Sequence, residues 1–167
     1  MIKKFEFYHG AVLTKLIHEA EQSIIIEPYP SPSNASYILN KSTGIFIKHS
    51  VKRMPPWRFS FAKEHQDEIL EMKNRLGEVF LLLVCGEDGI VTLSFMELKK
   101  ILNETHEPVE WISATRNRNT EYAIKGSDGY LNYKISKNDF PKKIFQIQNL
   151  VESIDSEAQK TKIFSWL

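Results

Sequence analysis

The chain is short of several things, and each shortage removes a class of function. One cysteine among 167 residues excludes an internal disulfide and a thiolate zinc cage. Cys85 closes the run Val79-Phe80-Leu81-Leu82-Leu83-Val84 and reads as a small buried hydrophobe. No apolar run approaches the ~20 residues of a membrane span. Met1-Ile2-Lys3-Lys4-Phe5-Glu6 has no apolar signal core behind it. A reducing, cytoplasmic setting is therefore the expectation, with no membrane partner. There is no glycine-rich phosphate loop, no HExxH and no GxSxG. The five histidines, His9, His18, His49, His65 and His106, are not spaced as zinc pairs.

Net charge is close to neutral, at +1, but it is unevenly distributed. Between Glu27 and Glu64 there is no acidic residue, while Lys41, Lys48, Lys52, Arg53, Arg58 and Lys63 all fall there. A segment this one-sided suggests a basic surface facing an anion. Tyr29, Tyr37, Trp57, Phe59 and Phe61 are interleaved with the cations. Cations with aromatics suit single strands or bases, and cations alone suit a duplex backbone. The alternative is a half-buried sheet, with aromatics inward and lysines in water.

Periodicity gives a mixed order of elements. Val12, Leu13, Leu16, Ile17 and Ala20 share one helical face, which predicts a helix over 8–21. A β-branched run predicts a strand over 23–27, and further strands are expected over 36–39, 44–50 and, after the break at Pro55-Pro56, 57–61. Pro28-Tyr29-Pro30-Ser31-Pro32-Ser33-Asn34 cannot be regular helix or central strand and reads as a loop within the domain. A helix over 63–76 has Glu64, Asp67 and Glu68 in its first turns, Lys73 and Arg75 in its last, and Gly77 as its stop. The almost wholly apolar 79–85 suits a strand covered on both faces. Glu87-Asp88-Gly89 turns it into a hairpin strand over 90–93, and Ser94-Phe95-Met96-Glu97 is a capping box opening a helix to Leu102. Strands over 111–115, 121–125 and 130–135 and a helix through Ile147, Leu150, Val151 and Ile154 complete the chain. The apolar tail Ile163-Phe164-Ser165-Trp166-Leu167 is expected to dock.

The length fits one domain over 1–167, with a core of about 8–102 and further strands and a C-terminal helix over about 108–167. The expected fold class is α/β in the mixed α+β sense. A central mixed sheet is flanked by helices, and extra antiparallel strands follow.

Two residues draw attention on chemical grounds. In Gly44-Ile45-Phe46-Ile47-Lys48-His49-Ser50, alternation sets Phe46, Lys48 and Ser50 on one face. A lysine beside Phe46 in mid-strand fits a catalytic or anion-binding face, or a sheet face open to water. Glu19 sits at the edge of the first helix's apolar stripe, where a carboxylate either flanks the core or enters a cleft.

The order helix, three-strand meander, helix, strand resembles the core of the PD-(D/E)XK nuclease superfamily, the restriction-endonuclease-like fold. The strand pair leading into IFIKHS looks like that family's hairpin, and Lys48 matches the lysine of its acid-x-Lys motif. Glu19 is similar in placement to a first-helix glutamate of many members. The resemblance implies Mg²⁺ held by two carboxylates, with the lysine positioning water. Here the aspartate position falls near Asn40 and the motif acid on Phe46, so a degenerate metal site is expected.

Three functions follow as expectations. The first is a nucleic-acid-associated protein of nuclease-like fold whose Lys48, Lys52, Arg53 and Arg58 meet DNA phosphates, with Trp57 at the contact edge. The second is an active Mg²⁺-dependent nuclease with relocated acids, using Glu19, Lys48 and Glu64, with Glu27 and Glu68 as further candidate metal ligands. The third is a protein-interaction or inhibitor module, including a homodimer held through the apolar tail. The first and second require Lys48 to share an open concavity with the cations that follow it.

Overall fold

A computed structural model describes residues 1–166. Among the described residues there are four helices and eight strands, and the strands divide between two sheets. Helix α1 (Lys4–Glu19) buries His9, Val12 and Leu16 and leaves its other face in water. Strands β1 (Ile26–Pro28), β2 (Ser36–Leu39) and β3 (Thr43–Ser50) form an antiparallel meander. Asn40 and Lys41, both at positive φ, make the tight turn between β2 and β3. Strand β4 (Trp57–Ala62) leads directly into α2 (Lys63–Leu76), which ends at Gly77 with φ +88°. A crossover through α2 brings β5 (Glu78–Cys85) parallel to β3, and β6 (Gly89–Ser94) folds back antiparallel.

The larger sheet is thus β1-β2-β3-β5-β6 and is mixed. Helix α3 (Phe95–Ile101) starts on the reciprocal cap of Ser94 and Glu97. Strands β7 (Val109–Thr115) and β8 (Ala123–Gly126) join β4 in a second, antiparallel sheet ordered β4-β7-β8. Helix α4 (Asp139–Ser165) closes the chain, with Phe140 still extended and the regular turns following it. The mixed α+β class is as expected.

Alternation sorts the core into two layers on either side of the larger sheet. Leu39, Ile45, Ile47, Phe80, Leu82 and Val84 face α1 and the start of α4. Phe46, Val79, Leu81, Leu83 and Cys85 face α2, α3 and the inner side of the second sheet, where Trp57, Phe59, Phe61, Ile112 and Tyr122 are packed. Because β5 is covered on both faces, its apolar run has no polar interruption.

Three expectations need correction. Residues 130–135 form no strand: Lys125 bridges Tyr130 and Tyr122 bridges Ile135, but the register slips between them and no continuous ladder forms. The last helix extends through Ser165, well beyond the four apolar residues that announced it, because no proline or glycine interrupts the chain after Ile154. The tail does not dock on this chain: Ile163 is 63% exposed and Trp166 89% exposed, while Leu167 lies outside the described residues. Among the described residues, no helix is long and apolar enough to cross a membrane.

Candidate functional site

Lys48 occupies β3 just past the point where β2 ends. Ser36 is the β2 partner of Phe46, and beyond it Ile47 N–H donates to Ala35 O of the 29–35 loop. The lysine points toward the second sheet, and its ammonium lies 5.2 Å above the Phe61 ring on the inner side of β4. It is half-buried, and among the described residues no carboxylate lies within ion-pair distance of it. Burial pulls its pKa down to about 8.

The first turns of α2 sit beside it. His65 Nδ1 accepts from the Ala62 N–H, and its ring lies 5.9 Å from that of Phe46. Burial, then the Lys48 charge, lowers the His65 pKa, against opposing pulls from Glu68 and Glu64. One turn further, Glu68 Oε1 accepts the hydroxyls of Ser31 at 2.8 Å, Ser33 at 3.1 Å and Ser36. The serine-rich loop therefore pins a carboxylate of α2 against the start of β2. The structure brings Lys48, His65, Glu64 and Glu68 into one neighbourhood, and of these the sequence reading lacked His65.

Other predicted site residues lie elsewhere. Glu19 is on α1, across the larger sheet from Lys48, exposed and 3.8 Å from Lys15. It flanks the core and cannot act with Lys48. Glu27 is exposed on the edge strand β1. Glu64, at the rim of the Lys48 neighbourhood, is exposed at the start of α2. Phe46 is fully buried, and Asn40 spends its amide on the Ile25 N–H and on Gln148. Among the described residues, no three His, Cys, Asp or Glu side chains come together as a metal would need. The accepting oxygen of Glu68 is already filled by hydroxyls. These residues do not fit the two-carboxylate Mg²⁺ site that the resemblance implies.

The expected nucleic-acid contacts divide differently again. Trp57 is not at a contact edge: it is 1% exposed, and its Nε1–H donates to Lys52 O at 2.9 Å. Its role is to fasten the 51–56 loop to the core. Lys48 and Arg58 do not share a concavity, because Phe61 and Arg58 are on opposite faces of β4. Arg58 is exposed on the outer face, with its guanidinium 4.4 Å above the ring of Trp111 on β7. In register, Arg58 is opposite Ser113, which is opposite Lys125 on β8. Lys52 and Arg53 are exposed on the loop that feeds into β4. Lys52, Arg53, Arg58 and Lys125 are unpaired by any carboxylate among the described residues.

Trp111 and Lys125 were missed in sequence. The signal was available: both alternate with buried neighbours, Ile112 for one and Ile124 for the other, so both must face outward. No family model, curated protein or solved structure matches the chain.

Proposed function

We propose that the chain is a nucleic-acid-binding protein of nuclease-like fold that uses the outer face of its second sheet as the contact surface. The observation that carries this reading is the outward set Arg58, Trp111 and Lys125, continued by Lys52 and Arg53 on the adjoining loop. Cations without carboxylate partners meet phosphates, and the Arg58 guanidinium, laid over the Trp111 ring, presents a planar face on which an unpaired base stacks. The acid-free stretch from Glu27 to Glu64 supports it, since it supplies three of these cations and no competing anion. The order α1, β1-β2-β3, β4, α2, β5, with β3 parallel to β5 and β4 set apart in the second sheet, supports keeping a nuclease-like fold in the reading.

On this reading Lys48 is a packed lysine rather than a phosphate ligand, and the surface is without a catalytic step. Binding follows from charge and stacking, so single strands are preferred to duplex. The test is fluorescence anisotropy with labelled single-stranded and duplex oligonucleotides, from low to physiological salt. Single-strand affinity should fall with salt, with a log–log slope of about 0.7 per phosphate neutralised. Trp111→Ala should weaken it by about 1–3 kcal/mol, the cost of one lost stack. Arg58→Ala and Lys125→Ala should each lower the salt slope, and Lys48→Met should leave affinity unchanged. Absence of binding at low salt, or binding indifferent to Trp111 and Arg58, would overturn the reading.

A further inference from the structure

The distal part of α4 leaves the body of the protein. Ile144 and Gln148 are the last residues of this helix to be buried, and every described residue from Asn149 onward is exposed. The projecting segment to Ser165 is roughly 25 Å long at 1.5 Å per residue. A helix of that length is marginal in water unless a face of it is packed.

The arm carries such a face. Ile147, Leu150, Val151, Ile154, Ala158 and Thr161 fall within one stripe at helical spacing. Leu150 is 62% and Ile154 63% exposed. Phe164, at the stripe's margin, is exposed as well. The charges on the arm are segregated along its length. Glu152, Asp155 and Glu157 occupy the proximal half, and Lys160 and Lys162 the distal half. None of these five is in an ion pair among the described residues.

That polarity selects an occupant. A parallel second arm would lay acid on acid and base on base. An antiparallel one lays each acidic half along the other's basic half while closing the two apolar stripes against each other. Asp155 and Lys162 are one heptad apart and so lie on the same flank, and like flanks face each other in an antiparallel pair. We infer that the arm docks on the arm of a second copy of this chain, in antiparallel orientation, to form a two-fold dimer.

The experiment is sedimentation equilibrium or light scattering on the full chain across a concentration series, with circular dichroism as the check on folding. The expected mass is twice 19.4 kDa at high concentration. Glu152→Lys/Asp155→Lys/Glu157→Lys makes the arm wholly basic, and Lys160→Glu/Lys162→Glu makes it wholly acidic. Each variant alone should fall to the monomer mass. An equimolar mixture of the two should regain the dimer, and so should one chain carrying all five reversals. Ile154→Asp should give a monomer that no charge change rescues. A wild-type monomer at every concentration overturns the inference, whether or not the arm then binds a vesicle or another protein. A dimer insensitive to the arm's charges overturns it too.

Discussion

Two buried bases show how position decides the chemistry of a side chain here. His9 is only 4% exposed, and its Nδ1 is 2.9 Å from the Tyr37 hydroxyl. Burial, with a smaller push from His49, lowers its pKa to about 4. The folded state therefore holds His9 neutral at pH values where the unfolded chain, at about 6.5, has taken up a proton. Its contribution is complete above pH 6.5 and is lost as pH falls toward 4. Between pH 7.5 and 5 the loss should be on the order of 2 kcal/mol. Urea unfolding at stepped pH measures it: the wild type should weaken over that range, and His9→Gln should weaken distinctly less. An unchanged slope in the variant would place the pH dependence elsewhere, with His49 and His65 next in line because their pKa values are also lowered. Lys48 obeys the same rule with a different outcome. Its ammonium is partly desolvated over an aromatic ring, so an unusual lysine in mid-strand reflects packing between two sheets.

At the scale of elements, the loop between β3 and β4 is held from both ends of its span. Gly86, at φ +56°, lets the β5–β6 turn press against Lys52, and a Cβ there would lie 2.4 Å from Lys52 O. The same carbonyl accepts from Trp57 Nε1, and Gly86 N–H donates to Ser50 O. Gly86→Ala combines a left-handed backbone with a backbone clash and should cost about 1–3 kcal/mol. It should also shift the 51–56 loop, so single-strand affinity should drop although no contact residue has changed. Thermal melts and the anisotropy assay on the same variant check both effects. Nearly all regular elements were legible in sequence because their signals are local: Gly77 after α2, the Ser94–Glu97 cap, the unbroken apolar β5. The site was less legible. Alternation correctly set Lys48 on the Phe46 face, but no local signal says that β4 leaves the larger sheet and covers that face. Trp57 misled for the same reason, since an aromatic among cations reads as a contact until a second sheet is known to lie over it. Residues 130–135 alternate like a strand, and only the slipped register beside β8 denies them a ladder.

For the molecule as a whole, the question is whether two sheets make one cooperative unit. The second sheet contributes Trp57, Phe61, Ile112 and Ile124 to the same core as Leu81, Leu83 and Val91 of the larger one, and Tyr122, just before β8, joins them. The polar link is at the β5–β6 turn. Arg116, just past β7, grips Asp88 through Nε at 2.6 Å and Nη2 at 2.5 Å, and the Tyr122 hydroxyl donates to the same carboxylate. Arg116, with help from Tyr122, holds the Asp88 pKa below its ordinary value, so this contribution is present at neutral pH and lost as pH falls below the usual carboxylate range. Both partners are mostly screened from water, with side chains 17% and 21% exposed, so removing one strands the other. Arg116→Met should cost about 2–3 kcal/mol at pH 7, near the worth of hydrogen bonds to a charged group. Asp88→Asn should cost a similar amount, and the double variant should cost clearly less than the two together, because the second loss has no partner left to strand. Urea unfolding followed by Trp fluorescence and by far-UV circular dichroism measures all three. If the sheets form one unit, the two probes give coincident transitions in every variant. Strict additivity of the single costs would mean the ion pair carries no coupling. A fluorescence transition preceding the dichroism would mean that the second sheet, which bears Trp57 and Trp111, comes away before the larger one.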